Sequence, residues 1–207
     1  MSLIVGIDEA GRGPVVGPLV IAGVGFHPNK IKLLKFLGVR DSKTLTPLRR
    51  RKLYKVLYNI ASHIVVEVID PWDIDKAVRR RSFNGLNELE AYYVAKVIKG
   101  FTNVKKVFVD SPDVKVERYR EKVLRFLNRE VEIVCANYAD KIFPVVSAAS
   151  IIAKVRRDLV IEKLSKIYGV IGSGYPTDPL TLKSLPYLVK HAPQALRFSW
   201  KTLQKFS

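Results

Sequence analysis

The 207 residues are 48 % hydrophobic, enough to bury a core and to form one domain with an appendage. The 36 Lys and Arg against 19 Asp and Glu leave a formal charge of +17, which points to a polyanionic partner such as nucleic acid. A single cysteine, Cys135, excludes an intramolecular disulfide and a cysteine-based zinc site, and no apolar run approaches the ~18 residues of a membrane span, so the expectation is a soluble, cytoplasmic protein without a secretory leader.

The first predicted strand lies in the stretch Leu3 to Gly17, LIVGIDEAGRGPVVG. An apolar β-branched run ends there on Asp8 and Glu9 and enters a turn holding Gly11, Arg12, Gly13 and Pro14. Side chains alternate along a strand, so both acids serve one site only if the strand stops there and the turn swings Glu9 round. Glycines permit such a turn. Two carboxylates held together repel, which raises the pKa of one unless a cation, a metal or Arg12, neutralises them. Leu19 to Phe26 is a second apolar run, most economically joined to the first as a hairpin. Lys30 to Leu37 reads as a short helix and Gly38 to Thr46 as a polar loop. From Pro47 to Ala61 the apolar residues fall near helical spacing, and Arg49, Arg50, Arg51 and Lys52 form a basic, solvated face.

His63 to Ile69 reads as a strand, and Pro71 to Arg81 as a helix ending on Arg79, Arg80 and Arg81, where cations suit the helix dipole. Leu86 to Lys99 is a longer helix and Lys106 to Asp110 a strand that again finishes on an aspartate. Glu117 to Asn128 is helical. Val131 to Cys135 is the last strand, with Cys135 as buried filler and Asp140 a few residues beyond. A long helix from Pro144 to Tyr168 begins through Ser147, Ala148, Ala149 and Ser150, small residues that allow close packing on a neighbour. After Gly172, Ser173 and Gly174 come helical segments at Pro179 to His191 and Ser199 to Phe206, read as a tail or minor domain. Three early strands followed by alternating helices and strands predict a mixed α/β sheet with parallel later strands.

Asp8, Asp110 and Asp140 each stand at or just past the carboxyl end of a predicted strand, and in an open α/β sheet such ends share one edge. Any one of them alone is an ordinary turn former. As a set with Glu9, in a strongly basic protein, they concentrate negative charge that calls for cations. Carboxylates without supporting histidine suit Mg²⁺ or Mn²⁺, and two such ions about 4 Å apart would activate water and stabilise the leaving oxygen in phosphodiester hydrolysis. The glycines Gly11, Gly13 and Gly17 are spaced G-x-G-x-x-x-G rather than as a dinucleotide loop, and two acids precede them where a pyrophosphate would approach. His27, His63 and His191 lie in unrelated contexts without a partnered nucleophile, which leaves a serine or cysteine hydrolase unsupported.

The stretches GIDEAGRGPVVGPLV at 6–20, DSKTL at 41–45, VFVDSPDV at 107–114, ADKIFPVVSAASIIAKVRRD at 139–158, GSGYPTDP at 172–179 and RFSWKT at 197–202 span nearly the whole length. In them the chain resembles ribonuclease HII, the type 2 ribonuclease H, in its archaeal form. The resemblance implies a ribonuclease H-like five-stranded mixed sheet flanked by helices, with a catalytic domain over 1–172 and a helical carboxyl-terminal substrate-binding region over 173–207. It implies hydrolysis of the RNA strand of RNA/DNA hybrids and cleavage 5′ of ribonucleotides embedded in duplex DNA, leaving 3′-hydroxyl and 5′-phosphate ends, by a monomer using Mg²⁺ or Mn²⁺, two ions during catalysis. The family's four catalytic, metal-binding carboxylates fall on Asp8, Glu9, Asp110 and Asp140. Its backbone-reading triplet falls on Gly11, Arg12 and Gly13, its junction-sensing tyrosine on Tyr175, and a phosphate-contacting loop position on Lys43. Asp113 and Asp158 are left with structural roles. Two other readings remain open: a noncatalytic nucleic-acid binder using the basic surface alone, and another nuclease or resolvase on the same fold.

Overall fold

Five strands make one mixed sheet in the order β3-β2-β1-β4-β5. They are β1 Leu3–Ala10, β2 Leu19–Phe26, β3 His63–Ile69, β4 Val104–Asp110 and β5 Glu132–Ala136, in a computed structural model that describes residues 2–39 and 45–206. β2 is buried at every position, and β1 at all but Ile4 and Glu9. Both are covered on their two faces, which is why they read as unbroken apolar runs rather than as alternating patterns. β1 pairs with β4 in parallel, and β4 with β5. The chain lays β2 and β3 on one flank of β1 and then returns to place β4 on the other. That reversal is the switch point at which the carboxyl ends of β1 and β4 lie side by side.

The helices are α1 Ile31–Phe36, α2 Pro47–Ile60, α3 Pro71–Val78, α4 Leu86–Lys99, α5 Val116–Arg125, α6 Ala139–Ile142, α7 Pro144–Tyr168 and α8 Pro179–His191. One close approach positions the rest of the sheet edge. A Cβ on Gly6 in β1 would run into the Val145 carbonyl of α7, so only glycine lets the first turns of α7, with buried Ser147, Ala148, Ala149 and Ser150, lie directly against the strand.

Several boundaries differ from the sequence expectation. α3 stops at Val78, and Arg79, Arg80 and Arg81 lie beyond it: Arg80 takes a positive φ of 55°, the Arg80 N–H bonds the Ala77 carbonyl and the Arg81 N–H bonds the Lys76 carbonyl, a Schellman stop. α5 ends at Arg125 because the Phe126 and Leu127 N–H groups reach back three residues, tightening the last turn. The final segment is a 3-10 run over Lys201–Phe206 that does not include Ser199, whose N–H and hydroxyl are taken by the Asp75 carboxylate. Asp140, expected a few residues past β5, stands on the one-turn helix α6. Cys135 is half-buried, and burial pushes its thiol up to about 12.

The chain forms two compact units, one of Met1–Glu9, Ile21–Glu67 and Glu90–Val155 and the other of Ala10–Val20, Val68–Leu89 and Arg156–Ser207. The second has its own apolar core, including Val15, Val16, Ile171, Leu185, Leu188 and Leu203. Residues 173–207 belong to this second unit, together with the turn after β1 and the segment that carries α3. No helix among the described residues is long and apolar enough to cross a membrane.

Candidate active site

In the first unit the strand register gathers the acids. Ile7 pairs with Val109, so Asp8 and Asp110 are each the next residue along neighbouring parallel strands, and Asp110 itself pairs with Ala136 of β5. Asp8 is buried and its carboxyl is held well above the usual carboxylate range, first by burial and then by the charge of Asp110, with a smaller push from Glu9. The Ser150 hydroxyl and the Glu9 N–H, which donates to Asp8 Oδ1 at 2.7 Å, pull in the other direction. Asp110 Oδ1 accepts the Ala139 N–H at 2.6 Å, which ties the start of α6, the turn that carries Asp140, to the end of β4. Asp140 is 3 % exposed, and its Oδ1 is buried with no hydrogen-bond partner among the described residues.

A buried carboxylate oxygen without a donor is costly unless something absent from the protein chain binds it. Among the described residues no three or more His, Cys, Asp or Glu side chains form a ready-made metal cage. Asp8, Asp110 and Asp140 each offer hard carboxylate oxygens and no nitrogen or sulfur, a chemistry that fits Mg²⁺ or Mn²⁺ better than zinc or copper. Asp113 is spent otherwise: it takes the Arg118 guanidinium at 2.6 and 3.0 Å and the Lys115 N–H at 3.0 Å. Asp158 lies 3.9 Å from Arg157.

In the second unit the turn after Glu9 is held from behind. The Arg197 side chain is fully buried, and its guanidinium donates to the carbonyls of Gly11 at 2.6 Å, Arg12 at 3.0 Å and Gly17 at 2.9 and 3.0 Å. Trp200 Nε1 donates to the Gly13 carbonyl at 3.0 Å. Gly11 has φ 92°, and a Cβ there would meet the Pro18 carbonyl at 2.6 Å and Arg157 Cδ at 2.7 Å, so the position demands glycine for folding alone. Gly13 differs. It is exposed, its φ lies outside the left-handed region, and a Cβ would make only ordinary contact with the Tyr175 ring at 3.6 Å. Arg12 donates to Asn87 Oδ1 at 2.6 Å. Tyr175 follows Gly174, whose carbonyl accepts the Val15 and Val16 N–H groups, and its ring carries the Arg157 guanidinium at 5.2 Å.

The structure thus groups Asp8, Glu9, Asp110 and Asp140 in one unit and Gly11, Arg12, Gly13 and Tyr175 in the other. Lys43 lies outside the described residues. Sequence reasoning passed over Ser150, the Ala139 N–H, Asn87, Arg157, Trp200 and Arg197. Arg197 heads the RFSWKT stretch, but nothing local in it pointed to the carbonyls it bonds, because an arginine reads by default as surface.

A mixed five-stranded sheet in this order, with acids at the carboxyl ends of its two central parallel strands, is that of a nuclease with the ribonuclease H fold. Residues 5–203 match the family model for ribonuclease HII. The chain is 44 % identical to the ribonuclease HII of Caldivirga maquilingensis over 100 % of its own length and 95 % of that protein. Among solved structures it is similar to the ribonuclease H2 of Pyrococcus horikoshii OT3, with TM-score 0.88 and 40 % identity over 98 % of this chain and 96 % of that one. It is similar also to the RNase HII of Archaeoglobus fulgidus solved in complex with PCNA, with TM-score 0.86 and 36 % identity over 96 % and 95 % of the two chains. The chain belongs to the ribonuclease HII family: it is an endonuclease with ribonuclease H activity on RNA/DNA hybrids.

Proposed function

We propose that this enzyme is a metal-dependent endoribonuclease that cuts the RNA strand of hybrids and cleaves 5′ of single ribonucleotides in duplex DNA, leaving 3′-hydroxyl and 5′-phosphate ends. The observation that carries the reading is the Asp8 and Asp110 pair, in which burial and then the charge of Asp110 hold the Asp8 carboxyl up, together with an Asp140 oxygen that no group among the described residues satisfies. Asp8, Glu9, Asp110 and Asp140 would hold Mg²⁺ or Mn²⁺, two ions during catalysis. When bound, such ions supply an activated water and a counter-charge for the leaving 3′-oxygen.

The residues of the chain do the rest. The Ala139 N–H fixes the Asp110 carboxylate and the Ser150 hydroxyl orients that of Asp8, so the ligands are pre-set before substrate arrives. Gly11, Arg12 and Gly13 read the added 2′-hydroxyl, a group that both donates and accepts hydrogen bonds. Their carbonyls are committed to Arg197 and Trp200, which stiffens the backbone for that task. The Tyr175 ring packs against the sugar of the deoxynucleotide at the junction, and Lys43 contacts phosphate. In this reading the enzyme works as a cytoplasmic monomer.

A gel assay tests it with labelled hybrid, duplex DNA holding one ribonucleotide, and all-DNA duplex, each with Mg²⁺, with Mn²⁺ or with chelator. Cutting of the first two only, with either metal and not with chelator, is the expected result. Equal cutting of all-DNA duplex, or full activity in chelator, overturns the proposal.

A further inference from the structure

Arg79, Arg80 and Arg81 are all exposed, and among the described residues no hydrogen bond or ion pair joins their side chains to another protein group. Three acids near them in sequence are engaged elsewhere. Asp73 pairs with Lys76 at 2.8 Å, Asp75 accepts the Phe198 and Ser199 N–H groups, and Glu88 accepts the Asn84 N–H at 2.6 Å. The backbone, by contrast, is fully specified: the Schellman stop of α3 holds Arg80 and Arg81, and the Glu88 contact caps the entry to α4.

The middle position carries the argument. Arg80 sits at φ 55°, where glycine is the usual residue and a side chain costs stability. A strained residue is a pointer to function when nothing in the fold uses its side chain. Here the fold uses none of the three guanidiniums, yet holds their backbone in one conformation.

We propose that Arg79, Arg80 and Arg81 are a phosphate-binding ridge that grips the nucleic-acid backbone independently of base or sugar. The proposal deepens the assignment of a nucleic-acid substrate and rests on it. Because the contact is with phosphodiester groups alone, it is the same for RNA/DNA hybrid and for all-DNA duplex. The second substrate therefore tests the ridge even if the cleavage specificity proposed above is wrong.

The test is equilibrium binding of both duplexes, in chelator, as a function of salt. Replacing all three by glutamine should weaken binding of each duplex roughly tenfold at 0.1 M salt and make the slope of log K against log salt shallower by about 2 to 3. Arg80→Gly separates the ridge from its scaffold. It should raise the Tm by about 2–4 °C through relief of the positive φ and yet weaken binding, while Arg80→Lys keeps most of the affinity. As a control for net charge, Lys99→Gln, Lys163→Gln and Lys166→Gln together remove three exposed cations that lie outside the 173–207 region. An unchanged salt slope in the triple arginine variant, an Arg80→Gly protein that binds as well as the parent, or an equal loss in the lysine control would each overturn the ridge.

Discussion

The acid cluster of the first unit and the arginine-stapled turn of the second both bury charge, and they handle it in opposite ways. Arg197 is fully buried, but its N–H groups are taken by the carbonyls of Gly11, Arg12 and Gly17, so its charge is solvated by the protein itself. Asp8 and Asp110 face like charge with like, and Asp140 keeps one oxygen with no donor among the described residues. A buried charge that the fold has already satisfied belongs to the scaffold, and one that it leaves under pressure is kept for a ligand.

The largest way to break the comparison is Asp110→Asn. It should cut turnover on hybrid by at least about 10³-fold while hybrid binding stays within several-fold, because a metal ligand is lost and phosphate contacts remain. Near-normal cleavage would remove the metal assignment. Arg197→Met tests the other region. It takes the guanidinium donors away from the Gly11, Arg12 and Gly17 carbonyls and should cost about 3 to 5 kcal/mol, read from the urea midpoint. A loss under about 1 kcal/mol would mean that the turn holds its own shape.

Protons sharpen the contrast. The folded Asp8 carboxyl binds its proton more tightly than the unfolded one, so between the ordinary carboxylate pKa and the raised value the folded state holds more protons. Stability of the metal-free protein therefore falls as pH rises through that window. Asp8→Asn removes the effect, and at neutral pH should raise the Tm of the metal-free protein while abolishing activity. Mg²⁺ or Mn²⁺ at ~10 to 100 times its Kd should add about 1 to 3 kcal/mol to the parent and much less to the variant. A pH-independent Tm in the parent would contradict the charge pressure on Asp8.

The smallest effects separate two glycines in one turn. Gly11→Ala should cost about 1 to 2 kcal/mol or more, since a positive φ and a backbone clash coincide there. Gly13→Ala should leave stability within about 0.5 kcal/mol, because its Cβ meets only the Tyr175 ring at ordinary distance. If the turn reads the 2′-hydroxyl, that same variant should narrow the preference for a single-ribonucleotide duplex over all-DNA duplex. Unaltered selectivity would leave Gly13 without a reading role.

What the amino-acid order determined by itself is local: apolar runs that must be strands, acids placed where those strands end, glycines where the chain must bend, and motifs that mark the family. Asp8 and Asp110 were visible because a strand end is set by the residues around it. The tertiary structure decided which of these local pieces answer one another. Ser150 reaches Asp8 because Gly6 lets α7 lie against β1, and Asp140 is brought in on a helical turn hung from Asp110. Arg197 bonds the Gly11 carbonyl across 186 residues of chain, and the segment around α3 joins the carboxyl-terminal helices in one unit. Periodicity and turn chemistry act over a few residues, whereas a guanidinium buried among carbonyls depends on packing between segments far apart in the chain.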